Sequence, residues 1–253
     1  MGIVQLSCLG AKGRFGNQLF QYAFARMYAE KYGHSLQIPY HWVGRVLFPA
    51  CRHDPLIDPN IKVRRIQDTD LVVPTGPQGL GDVELDGYFQ SANLINQLSI
   101  SKCREWFAID PKIRQKCTPI EGFYVAAHLR RGDYLQHSNV FPVIKAESYR
   151  AAMKKFGYSE KGVVWVSDGD GKNRDLRFPS QYDFIADFVT LLEAPVLFRS
   201  NSTFGWWACA LQENGKCYSP SFPNGSQGWI DCDFVEGNAP HFQGNRWSLI
   251  LQP

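Results

Sequence analysis

Short apolar runs that end in glycine or charge alternate along the chain with longer segments in which apolar residues return every three or four positions. These are the two rhythms of buried strand and amphipathic helix. Ile3 to Leu9 predicts a first strand. Phe20, Ala23, Phe24, Met27 and Tyr28 predict a helix from Asn17 to a stop at Gly33. "IKVRRIQD" reads as a short exposed strand, "PTGPQGLGD" as a loop, and "VELDGYFQSANLINQL" as a strand through Phe89 and a helix capped by Ser91. "KCREWFAIDPKIRQKC" continues helical and polar up to a border at Pro119. Phe123 to Ala127 then predicts a strand buried on both faces, as in a parallel sheet. Val163 to Val166 predicts a second buried strand and "PVLFRS" a third, separated by helices in "AESYRAAMKKFG" and "QYDFIADFVTLLEA" and followed by one in "NSTFGWWACALQENG". The tail from Cys217, rich in Gly, Pro and Asn, reads as a surface segment with short strands anchored by Trp229 and Trp247. Strand–helix alternation of this kind argues for an α/β fold.

Composition changes this picture little. The 253 residues are 44% hydrophobic and 14% aromatic, enough for a full core. A net charge of +3 is too mild for a general nucleic-acid binder, so basic residues act locally. No stretch reaches the roughly 18 apolar residues of a membrane span, and the first residues lack a secretory pattern, so the chain is expected to be soluble and cytoplasmic. The seven cysteines are scattered, without a CxxC pair or zinc spacing, and are expected to be reduced.

Charge enters where the apolar runs end. His128, Arg130 and Arg131 close the strand that begins at Phe123, and in open α/β sheets ligands sit at the carboxyl ends of strands, where an arginine fork meets an anion. Arg130 and Arg131 also read as a solvated pair on a Gly132-Asp133 turn. Gly10, Gly13 and Gly16 form a loop that opens a helix N-terminus, another anion site; Asn17 there reads first as a cap, Gln18 as facing solvent and Arg14 as a surface residue. Asn201, Ser202 and Thr203 either cap their helix or add hydroxyls to a second anion site. Asp168 and Asp170 spell a DxD that serves either a metal or a turn. Asp231 and Asp233 read as surface. Trp206, Trp207 and Leu211 read as core or pocket wall.

Together "GRFGNQLFQYA", "HLRRGDY" and "DFVTLLEAPVLFRSNSTFGWWACAL" resemble the motifs of the α-1,2-fucosyltransferase family of inverting glycosyltransferases, and the GRFGNQ and HxR elements are similar to those of protein O- and α-1,6-fucosyltransferases. The resemblance implies a GT-B-like α/β fold of two Rossmann-like halves facing across a cleft. In it 1–119 takes the glycan acceptor, and 120–253, with an irregular tail, holds the donor GDP-β-L-fucose. It implies that Arg130 grips the diphosphate, that His128 and Asp168 meet the guanine, and that Ser202 and Thr203 offer phosphate-binding hydroxyls beside Phe204. It further implies that Asn17, with Arg14 and Gly16 of the glycine loop, reaches the diphosphate or fucose. Asp133 is the nearest carboxylate for a catalytic base beside His128 and Arg130, and Glu147 is a more distant one. A fixed guanidinium and a helix N-terminus can replace a metal at the leaving diphosphate, so no metal or cofactor is expected. Galactose O2 as the acceptor follows from the family alone, because Ser35 to Gly81 and the tail carry no motif. With no anchor before the first motif, a bacterial or viral rather than Golgi-anchored enzyme is expected. Two other readings stay open: a transferase of the same fold using another nucleotide deoxysugar, and a non-catalytic glycan- or nucleotide-binding protein.

Overall fold

Val4, Leu36, Val83 and Leu85 are buried in one parallel sheet in the computed structural model of the chain, which describes residues 2–68, 81–117, 120–168, 184–223, 225–238 and, for their backbone, 241–242 and 249–250. Two compact units divide the chain at Asp110 and Pro111.

The first unit contains β1 (Ile3–Gln5), α1 (Phe15–Tyr32), β2 (Ser35–Gln37), α2 (Gly44–Leu47), β3 (Arg64–Gln67), β4 (Val83–Asp86), α3 (Ala92–Ile95) and α4 (Ile100–Trp106). Its sheet has the order β2-β1-β4-β3, with every pairing parallel. β1 is shorter than its apolar run: Leu6 and Leu9 stay fully buried but belong to the turn that feeds α1, where the Leu9 N–H reaches the Leu6 carbonyl at 3.2 Å.

α1 starts at Phe15 with Arg14 as its capping residue, so Asn17 lies inside the first turn and is not the cap. Aromatic packing surrounds this helix. Tyr22 stacks on Trp42 with centroids 4.8 Å apart, and Phe24 stacks on Phe89 at the same separation. Gln18, expected in solvent, is buried; its Oε1 accepts from Trp42 Nε1 at 3.1 Å and its Nε2 donates to the Gly13 carbonyl at 3.0 Å. Gly33 closes the helix in the left-handed region at φ 64°, which glycine adopts without a Cβ penalty. The helix expected across 102–117 is broken. α4 ends at Trp106, and a new turn starts at Pro111, where proline's fixed φ suits a first helical position.

The second unit contains α5 (Pro111–Arg114), β5 (Val125–Leu129), α6 (Gly132–Gln136), β6 (Pro142–Ile144), α7 (Ala146–Lys155), β7 (Val164–Ser167), α8 (Phe184–Leu192), β8 (Val196–Phe198), α9 (Thr203–Leu211), β9 (Lys216–Ser221), β10 (Gly228–Ile230), β11 (Asp233–Glu236), β12 (His241–Phe242) and β13 (Leu249–Ile250). The main sheet runs β11-β9-β8-β5-β7 and is parallel except for β11. β5 is therefore interior. β7, expected to be buried, is an edge strand, and only Val166 among its residues is buried. The apolar run at 123–127 is also shifted, since Phe123 is 71% exposed and the strand instead takes in His128 and Leu129.

One face of this sheet packs Val125, Ala127 and Phe198 against Tyr149 and Met153 of α7 with Tyr218 and Phe234. The other meets α8 and α9, where Phe188 and Phe204 pack edge to face at 5.2 Å. The tail is thus not merely a surface segment. Tyr218, Ser219 and Phe234 are buried, and β9 and β11 complete the main sheet. Cys209 and Cys217 form a disulfide between α9 and β9, which corrects the expectation of reduced thiols. Trp247, and the loop expected at 74–82 except for its last two residues, lie outside the described residues.

Candidate functional site

β5 and β8 end side by side in the second unit, and the turns that follow them carry the charged and hydroxyl groups. After β5, Arg130 places one guanidinium nitrogen on Asp133 at 2.5 Å and another on Asp168 at the end of β7. Its Cζ lies 5.1 Å from the ring centre of Tyr134. The other oxygen of Asp168 accepts the Arg131 backbone N–H at 2.7 Å. Glycine is needed between these groups: Gly132 has φ 24°, and a Cβ there would stand 2.6 Å from Asp168 Oδ2. Asp133 therefore braces Arg130, while Glu147 is a surface residue paired with Arg150 at 3.3 Å.

After β8 comes the start of α9. Ser202 is the capping residue, and its Oγ accepts the Gly205 N–H at 3.3 Å. It also accepts the Ser200 hydroxyl at 3.1 Å. Because Ser200 has one hydrogen and gives it to Ser202, the 3.0 Å contact between Ser200 Oγ and His128 Nδ1 has the imidazole as donor. The resulting chain runs from His128 through Ser200 to Ser202, whose own hydrogen is left to donate onward at the amino end of a nine-residue helix.

His128 is buried in β5, with the Phe204 ring 5.4 Å away and a position beside Gly205 that a Cβ would fill at 2.8 Å from Nδ1. Burial first, then the Arg130 charge, hold its pKa down at about 3, so it is neutral at physiological pH. It is not a cation facing an anion. Thr203 and Phe204 begin α9 and are partly exposed.

Sequence reasoning did not single out Arg199. Its guanidinium is fully buried, donates to the Ser200 carbonyl at 2.9 Å, and has no partner for Nε or Nη2 among the described residues. Burial lowers its pKa to about 9. The signal was a lone charge at the end of the apolar run "VLFR". Trp229 was expected only as an anchor. It lies on β10, parallel to β6, and the Arg131 guanidinium sits 4.9 Å from its ring centre.

The glycine loop of the first unit is a separate arrangement. Gly13 has φ 74°, and a Cβ there would meet Asn17 and Tyr88 at 2.6 and 2.8 Å. Asn17 Oδ1 accepts from Gln90 Nε2 at 3.0 Å, Gly16 is buried in the first turn of α1, and Arg14 is exposed. Lys12 reaches Asp86 at 2.9 Å, and with Arg65 and Gln67 it holds the Asp86 carboxyl at a pKa of about 2.

Among the described residues no three His, Cys, Asp or Glu side chains come together as a metal-binding group. Asp170, the second half of the DxD, lies outside them. Asp231 and Asp233 are exposed, as expected, and no described helix is long and apolar enough to cross a membrane.

Comparison with known proteins follows the same lines. Galactoside alpha-(1,2)-fucosyltransferase 1 from Plecturocebus brunneus is 26% identical over 83% of this chain and 66% of its own length, and the same enzyme from Gorilla gorilla gorilla gives the same figures. This chain is a remote relative of the galactoside α-1,2-fucosyltransferases. It spans about two thirds of the length of those relatives, and no family model matches it. In fold it is similar to the NodZ alpha-1,6-fucosyltransferase soaked with GDP-fucose, with a TM-score of 0.56 over 93% of this chain and 99% of that one, at 14% identity. An Arabidopsis thaliana FUT1 variant in complex with GDP matches at a TM-score of 0.52 over 92% of this chain and 73% of that one, at 11% identity. The fold is therefore α/β, of the GT-B-like fucosyltransferase kind.

Proposed function

We propose that this chain transfers L-fucose from GDP-β-L-fucose to a glycan hydroxyl with inversion, and that galactose O2 is the acceptor position. The supporting observation is the arginine fork of Arg130 at the end of an interior parallel strand, set beside the amino end of α9. Relatives named as fucosyltransferases, and neighbours described with GDP-fucose or GDP, point to the same donor.

Cleavage of the sugar–phosphate bond leaves negative charge on the diphosphate, and the transition state is stabilised by donors already aimed at it. Arg130 is the cation in this reading. Ser202, Thr203 and the amino end of α9 add neutral donors, and Phe204 forms the adjoining wall. His128 stays neutral and keeps the Ser200–Ser202 hydroxyl chain pointed toward α9. A carboxylate accepts about four hydrogen bonds, so Asp168 can serve Arg130, the Arg131 amide and a guanine amino group together. When phosphate oxygens take over the fork, Asp133 is released from Arg130 and becomes the candidate base for the acceptor hydroxyl. No metal takes part.

The test is transfer from GDP-fucose to galactose-terminated acceptors in EDTA, with product linkage read by NMR. Arg130→Lys keeps the charge but loses the planar fork, so turnover should fall about a hundredfold or more, with far-UV circular dichroism unchanged. Near-normal transfer by that variant, or loss of wild-type activity in EDTA with recovery on adding Mn²⁺, refutes the assignment.

A further inference from the structure

Trp229 is the one large aromatic side chain of the tail that faces solvent among the described residues, at 56% exposure. Burial therefore does not explain it. Nor is it loosely attached. It pairs opposite Val143 in the parallel β6–β10 ladder, the Gly228 N–H before it reaches the Ser138 carbonyl at 2.6 Å, and Lys145 holds Asp231 beyond it at 2.7 Å. A fixed, exposed indole offers a large amphipathic surface at little conformational cost.

Its neighbour connects it to the site. The Arg131 guanidinium lies 4.9 Å from the ring centre and is held there by the Ile144 carbonyl at 2.9 Å. The Arg131 backbone N–H is bound to Asp168, and Asp168 holds Arg130. Three consecutive contacts thus join the exposed indole to the group assigned to the donor diphosphate. A pyranose has an apolar C–H face and a rim of hydroxyls. The first suits an aromatic surface and the second a guanidinium beside it.

We propose that Trp229 and Arg131 form a saccharide subsite that receives the acceptor sugar in the second unit. This rests on the transfer reaction above and names where its acceptor is held, in a segment without any motif. The indole contributes stacking area, Arg131 donates to ring hydroxyls, and Asp168 ties the subsite to Arg130.

Three readouts test it. In the transfer assay Trp229→Ala should raise the acceptor KM about tenfold or more and leave the donor KM and the GDP dissociation constant within twofold, while Trp229→Phe, which keeps a ring, recovers most of the loss. An acceptor KM within twofold of wild type overturns the proposal. So does a parallel loss of GDP affinity, because Trp229 would then only hold Arg131 in place. The third readout needs no turnover: titrating lactose into the GDP-loaded protein should change the indole fluorescence of wild type more than that of Trp229→Phe. If wild type transfers nothing yet shows this difference, the transferase reading fails and the subsite stands. If the two proteins respond alike, the subsite fails.

Discussion

Replacing Arg199 by methionine should make the protein more stable. The guanidinium is fully buried, with one hydrogen bond to the Ser200 carbonyl at 2.9 Å and two nitrogens unpartnered among the described residues. Burial pulls its pKa from the ordinary arginine value to about 9, which corresponds to a penalty on the charged form of roughly 5 kcal/mol. Methionine fills much of the same space and needs no partner, but forfeits a charge-assisted hydrogen bond worth about 1.5–3 kcal/mol. The net gain is about 2 kcal/mol, inside the range of about 1–4 kcal/mol found when buried charges give way to apolar residues of similar volume. For a unit of this size the thermal midpoint should rise by about 4–8 °C. Scanning calorimetry at pH 7 on wild type and variant, with circular dichroism to confirm the fold, reads this directly. The pH dependence has a definite sign. At pH 7 arginine is protonated in folded and unfolded chains alike, so the advantage is constant. Above about pH 9 the folded wild type sheds its proton while the unfolded chain keeps it, so wild type recovers and the gap narrows. A variant with lower stability and an unchanged fold would show that the guanidinium is compensated in solution, and would refute the reasoning.

Gly132→Ala would bring a methyl to 2.6 Å from Asp168 Oδ2, so the Arg130–Asp168–Arg131 arrangement should open and GDP affinity fall tenfold or more by calorimetry; unchanged affinity would show that Asp168 is dispensable. His128 has a folded pKa of about 3, below that of the unfolded chain, so it contributes stability that is complete above the ordinary imidazole pKa and lost as pH falls toward 3. His128→Asn should accordingly flatten the loss of stability between pH 6 and pH 4 in urea titrations, and an unaltered slope contradicts the burial account. Reduction of the Cys209–Cys217 bridge, whose partners are 8 positions apart, should cost about 2.5 kcal/mol. Thiol titration of the unfolded, unreduced chain should count five free cysteines, and a count of seven removes the bridge.

Local chemistry made some of this legible from the sequence. The α1 helix was readable from the spacing of Phe20, Phe24 and Tyr28, and its end from Gly33, because periodicity and a left-handed cap are properties of neighbouring residues. The strand ending at Arg130 and the helix opening at Ser202 were readable for the same reason, and they carry the candidate site. Strand order was not readable. It makes β7 an edge strand and places Phe123 in solvent, although both lie in apolar runs. The short strands of the tail were expected, but at the surface, because proline and glycine in a strand argue for an edge and not for a place in the main sheet. Pro220 pairs with β11 only beyond the stretch of β9 that pairs with β8, so the interior ladder loses no donor. Side-chain pairing across the sheet was invisible as well. That Asp168 would hold Arg130, that Ser200 would link His128 to Ser202, and that Trp229 would meet Arg131 all depend on residues 38 to 98 positions apart becoming neighbours. The sequence determined which residues form each turn and which charges end each strand. Only the tertiary structure decided which of those charges face one another, because that follows from strand order and register, which no local pattern encodes.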